Sequence, residues 1–209
     1  MKAFSTPSKI FLLFTGSLFS LCFSLSEKET LLNVAGEKNI NWSENFVLDW
    51  DDFKGTPDSI SPYGSVIDAG LSRQYRTNKT DKKINKNAIH FFIKAYFNQA
   101  NSWVKKNAAG EKLLKHEAKH FDLAEISARQ LRKKISESDF TRANYNEVFS
   151  TLWKEAITSF KQTSAKYDEE TEHSLEEKKQ RKWAKKIEKE LKETEAFSDT
   201  LIKVVFSAH

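Results

Sequence analysis

Cysteine is almost absent from this chain of 209 residues, in which Cys22 is the only one. Cys22 lies in an apolar N-terminal segment, so the rest of the chain has neither a disulfide nor a thiol nucleophile. This excludes cysteine-protease chemistry and cysteine-rich zinc modules. Stability must come from a hydrophobic core, which a domain of roughly 180 residues can supply.

A strong charge of one sign is also missing, because the formal net charge is only +5. Two of the positive charges, Lys2 and Lys9, belong to the N-terminal segment, and the lysines near the other end alternate with glutamates at helical spacing. Such alternation is typical of a solvated helix face. With no nucleic-acid motif present, we expect no nucleic-acid partner. The sequence indicates no oligomeric state.

The N-terminus resembles an export signal. Lys2 and Lys9 precede an apolar run from Ile10 to Phe23 that is interrupted by small polar residues. This pattern predicts a signal peptide over 1–26, a secreted or periplasmic protein, and no stable membrane span after cleavage. Lipid attachment at Cys22 is the less favoured alternative, because Leu21 is not the small residue that such a signal needs. Residues 27–39 are interpreted as an unstructured lead-in.

Between 40 and 195 the hydrophobic pattern changes from alternating to helical, which predicts one domain. Strands are predicted at 40–43, 46–53, 65–76 and 88–97. Helices are predicted at 111–136, 144–166 and 175–195. A short turn or helix is predicted at 103–106, and 196–209 is either a tail or a short strand. Strands followed by helices indicate an α+β fold with a small antiparallel sheet.

The most informative motif is His116-Glu117-Ala118-Lys119-His120, an HExxH pentapeptide within the first predicted helix. Histidines four residues apart lie one above the other on a helix face, so both imidazoles can bind one metal ion. The neighbouring glutamate can act as general base on a metal-bound water. This combination is typical of zinc hydrolases.

A helical wheel places the motif on the inward face of its helix. Leu113, Phe121, Ala124, Ala128, Leu131 and Ile135 form an apolar arc with Glu117 at its centre and the histidines on its edge. Lys115, Lys119, Asp122, Arg129 and Lys133 are predicted to point the other way. A buried carboxylate needs a partner or a metal nearby, so a site of two simple core histidines and a solvated glutamate is disfavoured.

Catalytic zinc normally has three protein ligands and a water, and the residues leave the third ligand open. His173, in the polar segment 167–173, is one candidate, and Asp168 is another, either as a ligand or as an acceptor for a histidine N–H. His90 and His209 are less favoured. Tyr167 either donates a hydrogen bond to a developing oxyanion or packs as an aromatic at a helix end.

Three segments resemble a bacterial family of predicted secreted zinc-dependent proteases, long known only as a domain of unknown function. They are Leu48–Pro57 (LDWDDFKGTP), Leu113–Glu125 with the HExxH motif, and Tyr167–His173 (YDEETEH) followed by Gln180 and Trp183. The resemblance implies a zincin-like fold and favours His173 as the third ligand. Ser174 departs from the family pattern, which has a glycine there.

We therefore predict a zinc-dependent metallopeptidase acting on a protein or peptide. In this hypothesis His116, His120 and His173 bind Zn²⁺, Glu117 is the general base, Tyr167 assists, and the strand at 89–97 holds the substrate backbone. Three alternatives remain. They are a zinc amidase acting on a non-peptide substrate, a non-catalytic envelope binding or assembly domain with a structural or vestigial metal site, and a helical interaction protein without a metal.

Overall fold

The computed structural model describes residues 39–207 and shows an α+β fold with antiparallel sheets and three helices, as predicted. The strands are β1 (Asn39–Asn41), β2 (Ser65–Val66), β3 (Ala69–Thr77), β4 (Ala88–Asn98), β5 (Trp103–Val104) and β6 (Leu201–Val205). The helices are α1 (Glu111–Glu137), α2 (Tyr145–Thr171) and α3 (Glu177–Glu193). The predicted signal peptide, the lead-in up to residue 38 and His209 lie outside the described residues.

Strand β4 is the centre of the main sheet. β3 pairs with it along one edge, from Ala69↔Phe97 to Thr77↔Ile89. β1 and β6 share the other edge, at Asn39↔Asn98 and Ala88↔Val205 respectively. Because β4 is paired on both edges, it cannot add a substrate strand, and the prediction that residues 89–97 hold the substrate backbone is wrong.

The C-terminal segment, which the sequence left open between a tail and a strand, forms β6. Its register runs antiparallel to β4 up to Phe92↔Leu201. A further bond, from the Ile93 amide to the Thr200 carbonyl at 3.0 Å, extends the pairing beyond the strand. The last part of the described chain therefore completes the main sheet.

The strand predicted at 46–53 is absent from the structure. Residues 46–53 form a loop with a 3-10 turn at Trp50–Asp52, and not a strand. The Asp49 side chain accepts from the Asp51 amide at 2.9 Å, while Asp52 accepts from the Asp49 amide at 3.0 Å. These local bonds satisfy the backbone without a neighbouring strand and outweigh the alternating apolar pattern.

The strand predicted at 65–76 is divided into β2 and β3, and the segment predicted as a turn or helix at 103–106 contributes β5. β2 and β5 pair in a separate two-stranded sheet through Ser65↔Val104 and Val66↔Trp103. The division occurs at Asp68, whose amide donates to the Ser102 hydroxyl at 2.8 Å. The second strand of this small sheet, β5, directly precedes α1 in the chain.

Helix α1 lies at the centre of the molecule, between the main sheet and the other two helices. Its predicted apolar arc is buried at Phe121, Ala124, Ala128, Leu131 and Ile135, while Leu113 is only half-buried. Five residues of β4 face this helix side of the sheet and are also buried: Ile89, Phe91, Ile93, Ala95 and Phe97. None of the helices in the described part of the chain combines the length and apolar character needed to cross a bilayer.

The prediction that Arg129 points to solvent is wrong, because the C-terminal half of α1 is covered on that side too. Arg129 donates to Glu125 at 2.8 Å and to the Leu191 carbonyl of α3 at 2.8 Å. Arg132 is only 1% exposed and reaches both Glu125 oxygens, at 3.0 and 3.1 Å. One carboxylate therefore compensates two buried guanidinium groups.

This ion cluster gives a prediction for stability. Glu125→Ala should lower the free energy of unfolding by about 3–5 kcal/mol, because it leaves buried cations without a counter-charge. Glu137→Ala is the matched control on the same helix, where an exposed carboxylate lies 3.9 Å from Lys133, and should cost at most about 0.5 kcal/mol. Urea denaturation of both variants measures the difference, and equal values would contradict the role assigned to Glu125.

Candidate metal centre

Helix α1 brings the two motif histidines together. His116 and His120 lie one turn apart and are both buried, and their Nε2 atoms are 3.2 Å from each other. Their rings are nearly perpendicular, with centroids 4.9 Å apart. The spacing of four residues therefore directs two imidazole nitrogens at one point, as the sequence predicts.

Helix α2 supplies a carboxylate to the same point. The Asp168 Oδ1 atom lies 3.0 Å from His116 Nε2 and 2.9 Å from His120 Nε2. The sequence predicts that α2 ends at 166, but the helix continues to Thr171, so Asp168 belongs to its last turn and not to a loop. Helical geometry, and not a flexible connector, fixes the position of this carboxylate.

These three atoms suit a divalent cation in their spacing and in their chemistry. Within residues 39–207 they form the group of His, Cys, Asp or Glu side chains whose ligand atoms converge as a metal site requires. In a tetrahedral zinc site with bonds of about 2.0–2.1 Å, neighbouring ligand atoms are about 3.3 Å apart. The observed separations of 2.9–3.2 Å are close to that edge length. Two histidines and one carboxylate are also a known ligand set of catalytic zinc.

The Asp168 carboxylate is held in its charged form. Burial alone would raise its pKa, but hydrogen bonds from His116 and His120, with the charge of the imidazoles, lower the pKa of Asp168 well below its usual range. A carboxylate that stays ionised carries the negative charge that a cation needs.

The outer nitrogens of the histidines have hydroxyl partners on α2. His120 Nδ1 lies 2.7 Å from Ser164 Oγ, and His116 Nδ1 lies 3.5 Å from Thr171 Oγ1. A partner at Nδ1 orients the ring, and a histidine that carries its proton on Nδ1 offers the Nε2 lone pair to a metal. Ser164, Asp168 and Thr171 are spaced four and three residues apart, so they share one face of α2. Sequence reasoning missed Ser164 and Thr171, although this spacing was a signal that could have found them.

Glu117 is the third residue of the motif, and only 5% of its surface is exposed. Its Oε1 atom accepts a hydrogen bond from the Ser65 hydroxyl at 2.5 Å. Ser65 begins β2, so the small sheet holds the carboxylate from across the site. No motif in the sequence points to Ser65, which lies 52 residues before its partner.

A cleft of about 960 Å³ contains these groups in its lining: His116, Glu117, His120 and Asp168. The lining also includes the segment from Pro62 to Ile67, residues of α2, and residues 172–175. Tyr63 and Leu175 are exposed apolar residues of this lining, at 46% and 71%. The converging polar groups therefore lie in a cleft that a molecule can enter.

His173, predicted as the third ligand, lies at this cleft but outside the converging group. Its Nδ1 atom is 3.6 Å from Asp168 Oδ1, and the side chain is 51% exposed. The ring contacts Tyr63, another residue of the cleft lining, with centroids 4.8 Å apart. This arrangement favours Asp168 as the third ligand, which the sequence had left as the alternative. The extension of α2 to Thr171 explains the difference. It places Asp168 in the last helical turn, facing the histidines, whereas His173 follows the end of the helix.

The chain around His173 has an unusual backbone. Glu172, His173 and Ser174 all have positive φ, of 48°, 48° and 81°, although none of them is glycine. Such residues cost on the order of 1–3 kcal/mol each and persist where the surrounding structure holds them. A glycine at position 174 would adopt this conformation without strain.

Tyr167 lies behind the histidines and does not line the cleft. Its ring is fully buried, stacks on His116 at 4.6 Å with an angle of 19°, and meets His120 edge-on at 5.0 Å. Burial, followed by the negative charges of Glu117, Asp168 and Asp122, raises the pKa of Tyr167 far above its usual value. This placement does not support the oxyanion role predicted for Tyr167 and matches the alternative, a packed aromatic that supports the histidine rings.

Comparison with known proteins gives one similarity. Residues 94–174 match a family profile described as a bacterial protein of unknown function (DUF922). The matched stretch runs from β4 through the HExxH helix to Ser174, and thus includes the histidines, Glu117, Asp168 and His173. It leaves out the segment 48–57. No curated protein and no solved structure matches the chain.

Substitution should decide which residue completes the metal site. We expect His120→Ala and Asp168→Ala to lose bound zinc, because each removes one of three ligands, whereas His173→Ala should keep about one zinc per chain. Ser164→Ala should weaken zinc binding by roughly 10–100-fold through the freed His120 ring. Elemental analysis and competition with a chelator measure both effects.

His90→Ala is the matched control for these variants, because His90 lies in β4 and not in the cleft lining. It should bind zinc as the wild type does. If Asp168→Ala kept zinc while His173→Ala lost it, the ligand set favoured by the geometry would be replaced by the one that the sequence predicts.

Proposed function

We propose that this protein is a zinc-dependent metallopeptidase with a zincin-like architecture, in which His116, His120 and Asp168 hold the metal. One observation carries the proposal: two imidazole nitrogens and a carboxylate oxygen meet within 3.2 Å in a cleft that also contains a buried glutamate. The similarity to a bacterial family without a known activity is compatible with this function but does not name it.

The number of ligands favours a catalytic site over a structural one. Structural zinc sites are closed by four protein ligands, whereas catalytic sites use three and keep a position open. Three side chains converge here within the described residues, next to a cleft. Zinc held by them would supply Lewis-acid activation of a water molecule and of a scissile carbonyl. A structural or vestigial site would need neither the cleft nor Glu117.

Glu117 is the residue that moves the proton. Ser65 donates to Oε1, which leaves Oε2 as the atom that accepts a proton from the attacking water. The same atom then returns the proton to the departing amine of the substrate. Because the carboxylate is buried and held from β2, its orientation is fixed before a substrate arrives.

The cleft supports a peptide as the substrate. Its volume of about 960 Å³ is at the upper end of the range for sites of small molecules, roughly 300–1,000 Å³. Apolar side chains contribute to its lining, among them Val66, Leu113 and Phe160, and further apolar residues are exposed at its walls. These surfaces fit the side chains of an extended polypeptide. The predicted export signal adds the proposal that the enzyme acts outside the cytoplasm.

Glu117→Gln tests this function most directly. The variant should keep zinc, because Glu117 is not a ligand, and should lose roughly 10²–10⁴-fold in the rate of peptide cleavage, because the amide cannot accept the proton. The substrate is a library of unstructured peptides, the products are identified by mass spectrometry, and the zinc content is measured on the same samples.

Lys133→Gln, an exposed change on the same helix, is the control and should cleave as the wild type does. Zinc-loaded wild type that cleaves no peptide would refute the peptidase. Cleavage of amide bonds in envelope polymers by the same sample would then identify the amidase alternative. A protein that binds no zinc under metal-replete conditions would favour an interaction protein.

A further inference from the structure

His173 has a defined place that zinc binding does not explain. Its ring is at the cleft wall, half-exposed, and against Tyr63. Its Nδ1 atom is near the metal-binding carboxylate, yet the distance of 3.6 Å to Asp168 Oδ1 is too long for a hydrogen bond. The ring N–H is therefore available to a molecule that enters the cleft.

The turn that carries His173 is held by several bonds despite its strained backbone. The His173 amide donates to the Asp168 carbonyl at 3.0 Å, and the Glu176 amide donates to the Thr171 carbonyl at 2.9 Å. Lys112 on α1 donates from Nζ to the Leu175 carbonyl at 2.9 Å. Strained backbone that is held in this way is characteristic of functional sites, where it positions a group in advance.

The turn is also connected to the metal ligands through the helices themselves. Asp168 lies in the last turn of α2, five residues before His173, and Lys112 lies one turn before His116 on α1. Gln180 of α3 donates to the Lys112 carbonyl at 3.1 Å and so links α3 to α1. The backbone of His173 is thus held relative to the helices that carry His116 and Asp168.

We propose that His173 contacts the substrate and donates its ring N–H to the oxygen of the scissile carbonyl, where negative charge develops during attack. This inference rests on the proposed peptidase function. A donor placed in advance at that oxygen stabilises the transition state more than the ground state. His173 takes over the role that the sequence suggested for Tyr167, whose hydroxyl is buried away from the cleft. Tyr63 contacts the ring, with centroids 4.8 Å apart.

The test separates binding of the transition state from binding of the substrate and of zinc. The probe is a phosphinic analogue of the peptide that the library screen finds to be cleaved fastest, since its tetrahedral phosphorus imitates the attacked carbonyl. His173→Ala should keep about one zinc and lose roughly 10²–10³-fold in affinity for the analogue. Its affinity for the uncleaved peptide, measured in the Glu117→Gln background, should change less than about 3-fold.

His173→Gln should restore part of the loss, because its amide also carries N–H donors. His90→Ala is the matched control and should leave zinc, analogue and peptide binding unchanged. Calorimetry gives the affinities, and thermal unfolding of each variant confirms that it is folded.

Three results would overturn the proposal while leaving the peptidase intact. Loss of zinc from His173→Ala would make His173 a metal ligand. An equal loss of affinity for analogue and peptide would make it a general part of the cleft wall, and unchanged affinities would exclude a contact with the reacting group. Zinc-loaded wild type that cleaves no peptide would overturn both this inference and the function on which it rests.

Discussion

The burial of α1 is the constraint on which the rest of the structure depends. This helix has 27 residues and contacts the main sheet, both other helices and the C-terminal strand. It nevertheless carries His116, Glu117, His120, Glu125 and two arginines on buried positions. A polar group taken out of water must be paired, so the partners have to come from α1 itself or from its neighbours.

The two halves of α1 meet this demand in different ways. In the C-terminal half, Glu125 pairs with Arg129 and Arg132 inside the helix itself, and carbonyls of neighbouring segments complete the guanidinium bonds. In the N-terminal half the partners come from elsewhere, with Asp168 on α2 and Ser65 on β2. The C-terminal half of α1 is closed and the N-terminal half borders the cleft, which is why chemistry is expected at only one end.

Much of the fold could be predicted because it depends on local periodicity. The predicted start of α1 at 111 agrees with the structure, and its end differs by one residue, because a long run without proline or internal glycine has few alternatives. β4 is equally clear from its apolar run. The failures at 46–53 and 103–106 occur where short segments depend on side-chain bonds or on a distant strand partner, which periodicity does not record.

The sequence by itself determined that two histidines and a glutamate share the inward face of one helix, because residues four apart on a helix coincide by geometry alone. The tertiary structure decided which group joins them. Asp168 and His173 are five residues apart, and only the packing of α2 against α1 places the first beside the two histidine nitrogens and the second in the lining of the cleft. The same holds for Ser65, since a contact across 52 residues exists only when the small sheet is folded against the helix. The sequence alone determines how side chains are spaced within a helix or strand, whereas contacts between these elements follow from how their buried faces pack.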